Sequence, residues 1–159
     1  TVVVGLGLYM LLSRQGPLGF LRLLFTPEAI IIGYMVIAFP VLVVFTLSAV
    51  QGGDARINET ARSLGASRWR AALTTLFEVR FGVMAAVFNG FGRVVSEVGC
   101  AIMVGGNIAG LTRNIPTAIA LETSKGEFAQ GIALGFVLIA VAIGINVALS
   151  WLQGRGGLD

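Results

Sequence analysis

Histidine is absent from the 159 residues, cysteine occurs once, and charged residues make up only 12%. Without histidine, the usual general base, the serine–histidine pairing and the imidazole metal ligand are all excluded. A lone cysteine, Cys100, excludes a disulfide framework and any multi-cysteine zinc site. Soluble domains carry about 25% charged residues, so charge is too sparse here for a surface that faces water all round. Apolar residues take its place: 56% of the chain is hydrophobic and the mean hydropathy is +0.90. Disorder is excluded too, because its signature is low hydrophobicity with high charge. The 22 glycines fit a membrane chain, in which glycine is more frequent than in soluble helices. The composition predicts an all-α, polytopic membrane protein of one domain, residues 1–159.

The net charge is +3 and the isoelectric point about 9.8. A nucleic-acid footprint would need a basic stripe on a solvated face. Instead Arg56, Arg62, Arg68, Arg70 and Arg80 fall in one segment between two apolar runs. That distribution is the positive-inside pattern of a membrane protein, and no nucleic-acid partner is expected.

A spanning helix needs about 20 predominantly apolar residues. Residues 30–50 qualify, with Pro40 inside, which membrane helices tolerate because neighbours satisfy the freed carbonyl. Residues 130–152 qualify as well, with Trp151 near one end where interfacial aromatics sit. Residues 81–104 are expected to form one span that carries Arg93 and Glu97 inside it. Residues 1–12 are apolar but too few to cross alone, and they lack the basic flank of a signal peptide. The expectation is that the chain begins inside a transmembrane helix of a larger protein. Connector 51–80 has five basic residues, against two each in 13–29 and 105–127. This places 51–80 in the cytoplasm and the other two connectors outside.

Within the connector, Asp54 or Asn58 can cap a helix whose apolar positions Ala61, Leu64, Trp69, Leu73, Leu76 and Phe77 recur at helical spacing. Gly65 in its middle costs about 1 kcal/mol relative to alanine, which predicts a bend between two short helices. Read from the residues alone, the segment could equally be an amphipathic loop that merely links two spans. Arg93 and Glu97 lie four apart and share a helix face. Charges inside a span are costly and face a bundle interior or a wet cavity. Two readings stand: an arginine on an anion route restrained by its glutamate, or a structural ion pair. Gly105, Gly106 and Asn107, with Gly110 beyond, either present backbone N–H groups to an anion or stop a helix. Thr123-Ser124-Lys125-Gly126 lacks the glycine-rich lead of a phosphate loop.

Glu59-Thr60-Ala61 followed by Gly65, with Ala66 and Trp69, resembles the cytoplasmic signature of ABC importer permeases. Thr60, Thr75, Phe77 and Glu78 depart from that signature. Arg93-x3-Glu97-x-Gly99 with Gly106-Asn107, and the run Ser13 to Gly19, resemble the sulfate, molybdate and tungstate group. Thr117 to Phe128 and Glu78-Val79-Arg80-Phe81-Gly82 look most like its tungstate branch. The resemblance implies a type I importer permease in a prokaryotic inner membrane, working as a homodimer without catalysis or cofactor of its own. Two separate ATPase subunits would use ATP, and a periplasmic or extracellular binding protein would deliver the oxyanion. Glu59, Ala61 and Gly65 would then be ATPase-coupling positions, and Arg93, Glu97 and Asn107 pathway candidates. A stand-alone secondary transporter using the Arg93–Glu97 pair is the alternative, though no internal inverted repeat is visible. An intramembrane hydrolase lacks the necessary histidine or serine–lysine arrangement.

Overall fold

The computed structural model describes residues 1–54 and 56–155, and all regular structure among them is helical. In chain order the helices are α1 (Val2–Leu12), α2 (Pro27–Gln51), α3 (Arg56–Ser63), α4 (Arg68–Glu78), α5 (Arg80–Val95), α6 (Gly99–Gly105), α7 (Ile115–Ser124) and α8 (Phe128–Arg155). A short 3-10 turn, Gly19–Leu21, lies between α1 and α2. The chain forms two compact units, residues 1–38 with 92–159 and residues 39–91. Two helices, α2 and α8, are long and apolar enough to cross a membrane. Pro40 sits inside α2 without ending it.

In the first unit the core consists of Leu12, Ala29, Ile30, Ile37, Cys100, Ala101 and Val104, with Leu8 and Tyr34 packed against it. Lipid is as apolar as leucine, so helices in a membrane associate through close van der Waals contact rather than the hydrophobic effect. Small residues supply that contact here. A Cβ on Gly5 of α1 would lie 2.9 Å from the Cys100 Cα of α6. One on Gly33 of α2 would lie 2.6 Å from the Cys100 sulfur, and one on Gly105 2.6 Å from Ile30 Cδ1. The buried thiol of Cys100 thus fills the space left by Gly33, while its backbone lies against Gly5. Further along, α7 starts with a reciprocal cap between Asn114 and Thr117 and turns through Lys125 and Gly126 into α8. The apolar side chains of α8, among them Phe136, Ile139 and Ile143, remain exposed.

In the second unit, α5 packs on the C-terminal half of α2 through a stripe of small residues one helical turn apart. Gly82 meets Ala49, Ala86 is fully buried, and Gly90 meets Leu42. Helices α4 and α5 meet at an angle of 72° around Val79.

The expected single span over 81–104 is not one helix. α5 ends at Val95 and α6 starts at Gly99. The 16 residues of α5 reach about 24 Å at 1.5 Å per residue, short of the roughly 30 Å hydrocarbon core. Polar capping causes the division. Ser96 Oγ turns back to the carbonyls of Gly92 and Arg93, and the Glu97 carboxylate accepts from the Cys100 N–H at the start of α6.

The glycine packing yields a matched pair of substitutions on α1. Gly5→Val should destabilise the detergent-solubilised full-length protein by about 1–3 kcal/mol, the usual cost of overpacking. Gly7→Val meets nothing within 4 Å and should change thermal stability far less. Equal melting temperatures for the two variants would show that α1 does not pack on α6 through Gly5.

Candidate functional site

The connector is a helical hairpin. Asp54 Oδ1 accepts from the Arg56 N–H at the start of α3, and the Ser67 hydroxyl accepts from the Arg70 N–H at the start of α4. Between them Gly65 takes φ +86°, a left-handed conformation that side chains disfavour. The Ala66 N–H bonds the Ala61 carbonyl and the Gly65 N–H bonds that of Arg62, each at 3.0 Å. This is the Schellman ending of a helix. Ala61 and Gly65 therefore act together: one supplies the carbonyl, the other the backbone twist that closes α3. Glu59 stands exposed in the first turn of α3, where the helix dipole favours a negative charge.

Several large apolar side chains of this hairpin are exposed. Leu64 is 83% exposed, Trp69 82% and Phe77 70%. Single exposed apolar residues are ordinary, but a cluster of this kind marks an interaction surface. A cleft of about 620 Å³ lies between α3 and α4, with Ala61, Leu64, Ala66 and Thr74 in its wall. Arg80, just after the bend, lies over the rings of Phe77 and Phe81 at 5.4 and 5.0 Å.

Arg93 and Glu97 meet at the α5–α6 junction. Arg93 Nη1 is 3.1 Å from Glu97 Oε2; the glutamate side chain is 3% exposed and the arginine side chain 39%. The other carboxylate oxygen, Oε1, accepts from the Cys100 N–H at 3.1 Å. Each charge sits at the helix end whose dipole favours it, arginine in the last turn of α5 and glutamate before α6. Tyr34 of α2 donates to the Glu97 backbone carbonyl at 3.4 Å and accepts from Asn114 Nδ2 at 2.7 Å. The pair is thus anchored on three elements, while the half-exposed guanidinium keeps N–H groups with no protein acceptor among the described residues.

Asn107 lies apart from this pair. Gly106, at φ +70°, caps α6 by donating to the Ile102 carbonyl, so the glycine run stops a helix. Asn107 follows at φ +50°; its Nδ2 donates to the Thr117 carbonyl, and its buried Oδ1 has no partner among the described residues. Thr112 ties the loop down, donating to the Gly105 carbonyl and accepting from the Ile108 N–H. Tyr34 and Asn114 escaped the sequence reading. A tyrosine within an apolar run was the available signal, since polar groups in a span seek partners. No group of three or more potential metal ligands occurs among the described residues.

No family profile matches the chain. Individual proteins do. The probable anion ABC transporter permease protein of Haloferax volcanii is 44% identical, the match covering 92% of this chain and 65% of that protein. The tungstate uptake system permease protein TupB of Campylobacter jejuni is also 44% identical, over 92% of this chain and 61% of its own length. TupB of Peptoclostridium acidaminophilum is 39% identical, over 96% of this chain and 67% of its own length. The chain thus spans less than two thirds of the first two relatives and 67% of the third. With its signature hairpin and similarity maintained over nearly all its residues, the chain belongs to the family of ABC transporter permeases.

Proposed function

We propose that this chain is the membrane-spanning permease part of an ATP-driven importer for an oxyanion, with tungstate as the preferred substrate and molybdate and sulfate next. The single observation that carries the reading is the 39–44% identity to tungstate and anion permeases across more than nine tenths of the chain. ATP is bound and hydrolysed by a separate ATPase subunit, not by this chain. An external binding protein hands over the anion, and two permeases form the pathway in a prokaryotic inner membrane. The basic connector lies on the cytoplasmic side.

The hairpin α3–α4 is the ATPase docking element, with Glu59, Ala61 and Gly65 at its coupling positions. Its exposed Leu64, Trp69 and Phe77 offer the apolar contact, and the bend at Val79 passes a displacement of α4 directly into α5. Rigid-body shifts of packed helices are an ordinary means of switching between states. On the route itself, Arg93 is the anion contact and Glu97 positions it. A guanidinium already shared with a carboxylate holds a dianion less tightly than a free one, which favours release. Asn107 borders the route as part of the loop after α6. Its unpartnered atom is an acceptor and offers nothing to an oxyanion oxygen.

Two outcomes follow for the assembled transporter. Glu59→Lys and Gly65→Asp should leave the permease in the membrane but sharply reduce recovery of the ATPase in a pull-down. Gly65→Asn should do less harm, because asparagine tolerates the left-handed conformation. Undiminished recovery with both Glu59→Lys and Gly65→Asp would remove the hairpin from coupling. For the route, the double variant Arg93→Met/Glu97→Gln, which keeps an acceptor for the Cys100 N–H, should assemble yet fail to take up tungstate in proteoliposomes supplied with ATPase and loaded binding protein. Wild-type uptake per assembled complex would eliminate Arg93 as a pathway residue.

A further inference from the structure

We propose that the cleft at the C-terminal end of α1 is a second anion site, built to hold one tetrahedral oxyanion group between Arg14 and Arg22. The cleft has a volume of about 630 Å³, and Tyr9, Ser13, Gln15 and Phe25 complete the part of its wall that matters here. No carboxylate lines it. Neither guanidinium has an ion pair or hydrogen bond among the described residues, where the only ion pairs are Arg93–Glu97 and Lys125–Glu122. Arg14 and Arg22 line one cleft without a counter-ion, and a single bound anion gains from both charges. Guanidinium forks match the oxygens of phosphate-like groups, and the free Ser13, Tyr9 and Gln15 side chains add neutral donors.

The loop that carries these groups is held before any ligand arrives. Side chains at Gly16 and Gly19 would collide with the backbone of Met10, Leu11 and Ser13. The Leu18 N–H bonds the Leu11 carbonyl, and the Phe25 N–H bonds the Val104 carbonyl at the end of α6. Arg22 and Phe25 both adopt positive φ, +51° and +66°. Residues with side chains disfavour this conformation, and it persists at ligand-binding segments where the surroundings enforce it. The Phe25 ring stands edge-on to Tyr9 at 6.4 Å, giving the cleft an apolar wall beside its cationic one. That combination suits either a free oxyanion or the phosphate of an anionic lipid headgroup with its glycerol. The site is separate from Arg93 and does not depend on which anion is transported.

The test uses the complete purified transporter without its binding protein. Tungstate binding is measured by titration calorimetry in neutral detergent. Retention of phosphatidylglycerol from mixed nanodiscs is measured by native mass spectrometry. Arg14→Gln/Arg22→Gln should weaken one of these by about tenfold or more, a loss equivalent to roughly 1.4 kcal/mol, while Lys125→Gln, a cation outside the cleft, leaves that same binding intact. Loss of tungstate binding identifies a free-oxyanion site; loss of phosphatidylglycerol alone identifies a lipid-phosphate site. Both arginines are exposed and unpartnered, so the melting temperature should not move. The proposal is overturned if the double variant binds tungstate and retains phosphatidylglycerol as the wild type does. It is overturned equally if Lys125→Gln abolishes the binding in question.

Discussion

The Glu97 carboxylate is the acceptor on which the α5–α6 junction depends. A buried carboxylate is tolerable only when its charge is matched and its oxygens are bonded. One oxygen receives the Arg93 guanidinium and the other the Cys100 N–H. The first bond holds the end of α5; the second starts α6 and directs Cys100 into the gap between Gly5 and Gly33. Tyr34 and Asn114 extend the same network to α2 and α7. A polar cluster so placed divides what would otherwise be a continuous apolar helix. It also leaves the arginine half-exposed, so that one residue can be structural through one nitrogen and available to a ligand through the others.

Around that junction the packing follows from a membrane chain's lack of hydrophobic drive between helices. Glycine and alanine recur where helices touch, as Gly5, Gly33 and Gly105 in one unit and Gly82, Ala86 and Gly90 in the other. Large apolar residues are left outside, most evidently along α8 and on the α3–α4 hairpin. On α8 the exposed surface suits lipid. On the hairpin, flanked by arginines, it suits a protein.

What was legible in the sequence was local. The bend at Gly65 could be read because a left-handed helix ending strongly favours glycine, and the long apolar runs of α2 and α8 could be read by length. The division of 81–104 was missed because counting apolar residues does not register a cap, although Ser96, Glu97 and Gly99 form a stop and a start in sequence. The contacts of Tyr34 were illegible for a different reason. Its partners lie 63 and 80 positions away, and only the fold brings them together. Arg14 and Arg22 were counted for topology, which records the side of a connector but not that two guanidiniums line one cleft.

The most direct measurement of the central claim is a double-mutant cycle at the junction, read by thermal unfolding of the full-length permease. Arg93→Ala leaves a buried carboxylate unmatched. Its cost should fall between the ~1 kcal/mol of an exposed pair and the ~3–5 kcal/mol of a buried one. Glu97→Gln removes the buried charge, keeps an acceptor for the Cys100 N–H and leaves an arginine that can reach water, so it should cost less. Adding Glu97→Gln to Arg93→Ala should recover much of the lost stability. Additive losses, or an Arg93→Ala protein as stable as the wild type, would contradict the account that Glu97 and its arginine hold the junction.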